Sequence, residues 1–349
     1  MPRISETELK SLIKEGVSGA YLLYGDEKYL VKTYSDRLSS FAENDPFKDF
    51  NFRIFEGDEY TLEDVYDSAC AVPVMAERKC VIVRDFAADK LDDKGLKALE
   101  GLLEDNPEDN CLVFSYAASS LAEKHMKNLA KLFEKHGYAC EFGKLGDAEL
   151  SRILERGAKS RGKTFAPGAA SGMVQSVGSD LNLLSNELDK LCSYCGGDVI
   201  TINDVNSVCV KSLDAKVFDM IRKLSDGKFD DAFHKLTDLL ENRTEPTMIM
   251  GALISQYSDM YRCKALKESG LGASELSKYY ANYRDNKGAP KTYRIDSAAK
   301  NASLLTMRQM RRCIEILSQA DRELKTSFSS DPRPLLEKTL VMLARSDKF

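Results

Sequence analysis

Short apolar runs alternate with helical patterns over the first 142 residues of the chain. The runs are rich in β-branched or aromatic residues and occupy positions 20–24, 50–55, 80–83, 111–116 and 138–142. The amphipathic patterns between them predict helices near 28–42, 61–71, 94–105 and 121–136. Alternation of strands and helices at this spacing predicts a mostly parallel sheet covered by helices.

The strand pattern stops after position 142, and helical periodicity continues to the C-terminus. Four short helical patterns fill residues 143–211, and longer ones fill residues 212–349. Breakers separate them, among them Pro246 at a helix start and Gly270 at a helix end. We therefore predict three domains: an α/β domain at 1–142, a small helical domain at 143–211 and a larger helical domain at 212–349.

Charge is divided unevenly between these parts, although the whole chain carries only −5. Residues 1–142 hold 18 Lys or Arg and 28 Asp or Glu, whereas residues 143–349 hold 32 and 27. The chain is therefore not a uniformly basic protein of the kind that covers nucleic acid. The two parts are expected to bind different partners.

Other classes of protein are excluded by what the sequence lacks. There is no apolar run of the roughly 18 residues that span a bilayer, and the N-terminus has no signal-peptide core. We therefore expect a cytoplasmic protein without a membrane contact, whose nine cysteines are reduced thiols. The lone Cys192-x-x-Cys195 pair has no second pair to complete a zinc site, and no catalytic motif occurs, so we predict no metal, no cofactor and no catalytic residue.

One string fits the phosphate-binding P-loop, G-x-x-x-x-G-K-[ST], without a mismatch: GAKSRGKT at 157–164. A P-loop must leave a buried strand and enter a helix. Here an amphipathic helical pattern precedes the string and a turn follows it, which favours a helix end and a basic turn. An ATPase that uses Lys163 and Thr164 remains the alternative. The turn after the first strand, at 25–28, offers one glycine and two acids, which would repel a triphosphate.

The connection at 71–78 has the character of a contact surface. Pro73 interrupts the preceding helix, and Val74 and Met75 then form an apolar pair where the chain should run over the surface. An exposed apolar pair is a normal anchor for a partner's hydrophobic pocket. The alternative is that the pair packs inward.

Basic residues of the last domain form two candidate nucleic-acid contacts. Arg308, Arg311 and Arg312 recur at helical spacing. A second stretch alternates basic residues with tyrosines and contains Tyr283, Arg284 and Lys287. Such residues can follow a phosphate backbone and stack on bases. A solvated helix face is the alternative, and a stand-alone DNA-binding protein is a further functional hypothesis.

Five strings together resemble the delta subunit family of the bacterial DNA polymerase III clamp loader. In order they are AYLLYGDEKYL at 20–30, ERKCVIVR at 77–84, DLNLLSNELDKL at 180–191, VFDMIRKL at 217–224 and DPRPLLEKTLVML at 331–343. The resemblance covers essentially the full chain, and the order of the strings makes it specific.

The resemblance implies an α/β plus all-α fold: an AAA+-like parallel α/β domain with a degenerate nucleotide site, a small helical lid domain and a helical collar domain. It implies a non-catalytic subunit of a DNA-directed DNA polymerase holoenzyme, which binds the sliding clamp (the beta subunit) and opens its ring on primed DNA without hydrolysing ATP. The collar would join the gamma or tau and delta prime subunits. By position, the clamp-binding pair would be Val74 and Met75, beside Pro73. This pair departs from the family's more usual Leu/Phe or aromatic pair, which implies a weaker anchor or a different clamp pocket.

Overall fold

The computed structural model describes residues 3–57, 59–117, 121–272, 275–280, 283, 292–303, 305–326 and 331–346. The chain divides into two compact units, Met1–Lys144 and Leu145–Phe349. The predicted division of the second unit into domains at 143–211 and 212–349 stays a prediction.

A parallel sheet forms the centre of the first unit. Its strands are β1 (Arg3–Ile4), β2 (Gly19–Gly25), β3 (Phe52–Phe55), β4 (Cys80–Arg84), β5 (Cys111–Ala117) and β6 (Tyr138–Glu141). They lie in the order β1-β6-β2-β5-β4-β3, and every neighbouring pair is parallel. All strands therefore end at one side of the sheet, here called the carboxyl edge, and begin at the opposite side, the amino edge.

Helices cover both faces of this sheet. They are α1 (Glu6–Glu15), α2 (Lys28–Glu43), α3 (Lys48–Asn51), α4 (Leu62–Cys70), a 3₁₀ turn (Ala88–Lys90), α5 (Asp93–Asp105) and α6 (Glu123–His136). The helix α4 begins as its sequence predicts, because Thr61 and Asp64 form a capping box. The hydrogen bonds from Thr61 lower the pKa of the Asp64 carboxyl.

Central strands β2, β4 and β5 are buried along almost their whole length. Apolar side chains from α5 and α6 pack against one face, where Leu102, Phe114 and Phe133 are fully buried. A strand that is covered on both faces has a continuous run of apolar residues. The positions of β2, β4 and β5 are therefore predicted well from the sequence.

Four helices and a two-stranded sheet open the second unit. The helices are α7 (Asp147–Ser160), α8 (Ala169–Val177), α9 (Leu181–Tyr194) and α10 (Ile202–Val208). Strands β7 (Thr164–Phe165) and β8 (Val199–Ile200) pair in parallel. The prediction that strands stop after residue 142 is wrong here, because a two-residue strand is too short to leave a periodic pattern.

The rest of the second unit is helical throughout the described residues. Its helices are α11 (Leu213–Ser225), α12 (Phe229–Glu241), α13 (Pro246–Glu268), α14 (Leu276–Tyr279), α15 (Thr292–Ala302), α16 (Met307–Thr326) and α17 (Arg333–Ala344). They share one core cluster, whose buried members run from Val217 to Leu343. The predicted class, α/β plus all-α, is confirmed. Within the described ranges, no helix has both the length and the hydropathy of a membrane span.

Candidate partner-binding site

The connection between α4 and β4, residues 71–79, exposes apolar side chains at the amino edge of the sheet. Val72 and Met75 are 81% and 79% exposed, and Val74 is 42% exposed. Pro73 is half-buried between them. The predicted pair Val74 and Met75 is thus brought together at the surface, and the alternative in which it packs inward is wrong.

The backbone of this connection adopts an uncommon conformation at Met75. Its φ of 51° lies in the left-handed region, where the Cβ of a residue other than glycine crowds the following carbonyl, at about 1–2 kcal/mol. Residues held in such conformations concentrate at functional sites, and they persist where the surrounding structure determines them.

Asn51, the last residue of α3, holds the residue before Met75. Its Nδ2 donates to the Val74 carbonyl oxygen and its Oδ1 accepts from the Val74 N–H, both at 2.8 Å. The Asn51 side chain is buried. Both halves of the amide are therefore satisfied by one backbone unit of the connection.

A second buried amide, Asn110, joins the two ends of the connection. Its Nδ2 donates to the Ala69 carbonyl oxygen near the end of α4, and its Oδ1 accepts from the Lys79 N–H, both at 2.9 Å. Next to it, Arg78 donates to the Val17 carbonyl oxygen at 2.8 Å. The backbone of the connection, here called the stem, is therefore fixed to the sheet. Residues 72–75, here called the tip, carry its exposed apolar side chains.

Three basic side chains, Arg53, Arg78 and Lys79, belong to the connection or lie near it. Partial burial lowers the pKa of the Lys79 ammonium, and the positive charge of Arg53 lowers it further. Arg78 lies over the ring of Phe41 at 5.2 Å from its centroid. The exposed side chains of the tip are apolar, namely those of Val72, Val74 and Met75.

Sequence reasoning missed Asn51 and Asn110. The signal available was slight: each is a polar residue immediately before a strand, at Phe52 and at Cys111. Nothing in the pattern of a single sequence shows that such a residue is buried or which backbone groups it binds.

At the carboxyl edge, the turn after β2 contains only two residues, Asp26 and Glu27, before α2 begins. The Phe142 carbonyl oxygen accepts from the Glu27 N–H at 3.0 Å. Gly25, at φ 133°, lies so close that an added Cβ would be 2.2 Å from that oxygen. The Phe142 backbone therefore packs directly against Gly25 on one side of this turn, and the turn is too short to wrap around a phosphate.

The P-loop-like string at 157–164 does not form a P-loop. It spans the end of α7 and enters β7, so a helix precedes it and a strand follows, the reverse of the order that phosphate binding requires. Lys163 donates to the carbonyl oxygens of Cys195 and Gly197 at 2.9 and 2.8 Å. The alternative use of Lys163 and Thr164 in an ATP site is thus contradicted by this geometry.

The candidate DNA-contact residues are placed differently from one another. Arg308, Arg311 and Arg312 are exposed on α16, and Arg312 pairs with Glu315 at 3.1 Å. Arg284 and Lys287 lie outside the described residues.

Tyr283 is fully buried, so the prediction that its ring stacks on a base is wrong. Its hydroxyl donates to the Asp259 carboxylate and accepts from Arg262 at 3.2 Å. Burial, together with the bond to Asp259, raises the pKa of Tyr283 to about 12. The ring packs in the helical core of the second unit.

Among the described residues, one group offers metal-ligand atoms within 4.8 Å of one another: Glu100, Glu104 and His136. Lys135 donates to Glu100 Oε1 at 2.5 Å, and this bond lowers the pKa of the Glu100 carboxyl. A carboxylate that is already paired with an ammonium group binds a metal cation weakly. We therefore assign no metal to these three residues.

Two family descriptions match separate parts of the chain. The family described as DNA polymerase III, delta subunit, matches residues 21–142. The family described as DNA polymerase III delta subunit, C-terminal domain, matches residues 214–343. The chain belongs to the DNA polymerase III delta subunit family. The connection at 71–79 and the turn after β2 both lie within the first matched segment.

Individual relatives of the delta subunit family agree. The chain is 29% identical to DNA polymerase III subunit delta of Bacillus subtilis over 97% of this chain and 96% of that protein. It is 24% identical to a probable DNA polymerase III subunit delta of Aquifex aeolicus over 72% of each. A solved DNA clamp loader delta protein of Bacillus subtilis matches with 27% identity and a TM-score of 0.62, over 97% of this chain and 99% of that one.

Proposed function

We propose that this chain binds the sliding clamp through Val74 and Met75 and opens the clamp ring for loading onto primed DNA. The observation that carries the proposal is the exposure of this pair on a stem held by two buried asparagines. A rigid apolar projection can enter a pocket without first losing conformational freedom, and this favours tight binding.

The same proposal assigns ATP hydrolysis to other subunits. The turn after β2 has only two residues and packs against the Phe142 backbone, and the P-loop-like string has the wrong order of elements. The chain would then contribute clamp binding to a polymerase holoenzyme without catalytic chemistry of its own.

The clamp-binding assignment is tested with the variant Val74→Ala plus Met75→Ala. Removal of two anchor side chains from a desolvated pocket should weaken clamp affinity at least 100-fold, since anchor residues contribute about 2 kcal/mol or more each. The measurement is calorimetric titration with the clamp of the same organism. The matched control is Leu183→Ala plus Val199→Ala, two apolar side chains that are about equally exposed on the second unit. Equal affinity of the first variant and the unchanged protein would overturn the assignment.

Nucleotide binding is tested on the isolated chain. We expect no ATP binding at millimolar nucleotide, with or without Lys163→Ala. ATP binding that disappears on Lys163→Ala would restore the ATPase alternative.

The second unit is proposed to join the other loader subunits and to approach DNA. Arg308 and Arg311 support the DNA contact, because both are exposed on one face of α16. In the assembled loader, Arg308→Ala plus Arg311→Ala should reduce the salt dependence of DNA binding by about two phosphate contacts and leave clamp affinity unchanged. An unaltered salt dependence would contradict it.

A further inference from the structure

The amide of Asn51 binds the connection at one point only, the backbone of Val74. Its donor and its acceptor meet the carbonyl oxygen and the N–H of the same residue at 2.8 Å. This pairing fixes the direction of the chain immediately before Met75. Within the described residues, the side-chain hydrogen bonds to the Val74 backbone come from Asn51.

We propose that Asn51 is a positioning residue for the clamp contact, which holds Val74 and Met75 in the conformation that the clamp binds. This inference rests on the proposed clamp-binding function and names a residue outside the apolar pair. Asn51 itself is buried, so it acts through the connection and touches no partner.

Backbone conformation explains why such a residue is needed. Met75 has a left-handed φ of 51°, which an unrestrained methionine leaves for negative φ. A change of φ at Met75 would reorient its side chain relative to that of Val74. The two bonds from Asn51 restrain the preceding residue and so oppose that change.

The position of Asn51 makes it a firm support. The next residue, Phe52, is opposite Cys80 in the pairing of β3 with β4. The connection leads into β4 at that same Cys80. Asn51 and the end of the connection are therefore tied to adjacent strands, and the amide bridges two segments whose separation is set by the sheet.

For binding, the consequence is a change in the fraction of molecules whose tip has the conformation that the clamp binds. If the tip holds the competent conformation for only a tenth of the time, the apparent affinity falls tenfold although every contact side chain is present. Loss of Asn51 should therefore weaken binding without removing any atom of the contact surface.

The test is a double-mutant cycle read by surface plasmon resonance against the clamp. We expect Asn51→Ala to weaken affinity about tenfold in the unchanged protein and to have no further effect in the background Val74→Ala plus Met75→Ala, because the residue acts through that pair. Hydrogen exchange at the Val74 amide should accelerate in Asn51→Ala.

Two further variants separate positioning from folding. Leu129→Ala removes a buried side chain of α6, outside both α3 and the connection at 71–79. It should lower the melting temperature and leave affinity unchanged. Asn51→Asp keeps the size and the acceptor for the Val74 N–H but loses the donor. It should weaken affinity and serves in the cycle if Asn51→Ala does not fold.

The outcomes distinguish this inference from the proposed function. Faster exchange at Val74 with unchanged affinity would overturn the positioning role while the clamp site stands. An equal loss on Asn51→Ala with and without the apolar pair would also overturn it, because the effect would then bypass the pair. If Val74→Ala plus Met75→Ala itself leaves affinity unchanged, the proposed site fails and this inference fails with it.

Discussion

Two turns of the first unit differ in what surrounds them: one packs against backbone, and the other exposes apolar side chains. The turn after β2, at the carboxyl edge, is two residues long and is closed by the backbone of Phe142. The connection before β4, at the amino edge, is nine residues long and exposes apolar side chains above two buried amides. Ligands of open parallel sheets usually bind at the carboxyl edge. In this unit the proposed contact lies at the opposite edge, at the start of β4.

The largest expected effect comes from Gly25→Ala at the closed turn. A Cβ there would lie 2.2 Å from the Phe142 carbonyl oxygen, at a φ of 133°, so the turn must open or the strand must shift. We expect a loss of about 4 kcal/mol in the free energy of unfolding, measured by urea denaturation.

Gly57→Ala is the matched control, because Gly57 also has a positive φ of 87° but no atom within 4 Å of its added Cβ. It should lose about 1 kcal/mol, from backbone strain alone. Equal losses in the two variants would mean that the Phe142 backbone does not close the turn tightly.

The next effect is expected from Asn110→Ala at the stem of the connection. This change leaves the buried Ala69 carbonyl and the Lys79 N–H without their partner, at about 2–3 kcal/mol of unfolding free energy. Native-state hydrogen exchange should also accelerate at the Lys79 amide. A stable variant with unchanged exchange at Lys79 would show that the stem is held by other contacts.

The smallest effect on stability is expected from Met75→Asn at the tip. Asparagine tolerates the left-handed region better than methionine, so unfolding free energy should rise by about 0.5 kcal/mol while clamp affinity falls. The comparison variant is Val72→Asn, at an exposed neighbour whose φ is not positive. It should bring no such gain. A loss of stability at Met75→Asn would mean that the methionine side chain contributes packing that outweighs its backbone strain.

Sequence periodicity predicts most of the fold, and a local pattern predicts that Val74 and Met75 are exposed. The strands β2, β4 and β5 are continuous apolar runs, and α13 begins and ends where Pro246 and the following breaker predict. The exposure of Val74 and Met75 follows from a proline that interrupts a helix just before an apolar pair. These features are local, so a single sequence contains them.

The remainder depends on partners that are distant in the chain. Asn51 binds Val74 across 23 positions, and Asn110 binds Ala69 across 41. Phe142 closes a turn at Gly25 from the far end of the unit. Tyr283 was predicted as a surface ring, but its hydroxyl meets Asp259 inside the helical core. Tertiary hydrogen bonds of this kind leave no periodic pattern.

Asn51 and Asn110 bind the connection and the end of α4 through main-chain atoms alone: the N–H and carbonyl of Val74, the N–H of Lys79 and the carbonyl of Ala69. Every amino acid except proline supplies those atoms. The two exposed positions can therefore change identity over evolutionary time without altering the support below them. A lineage whose clamp acquires a different pocket could follow it by substitution at 74 and 75, with the architecture of the stem conserved.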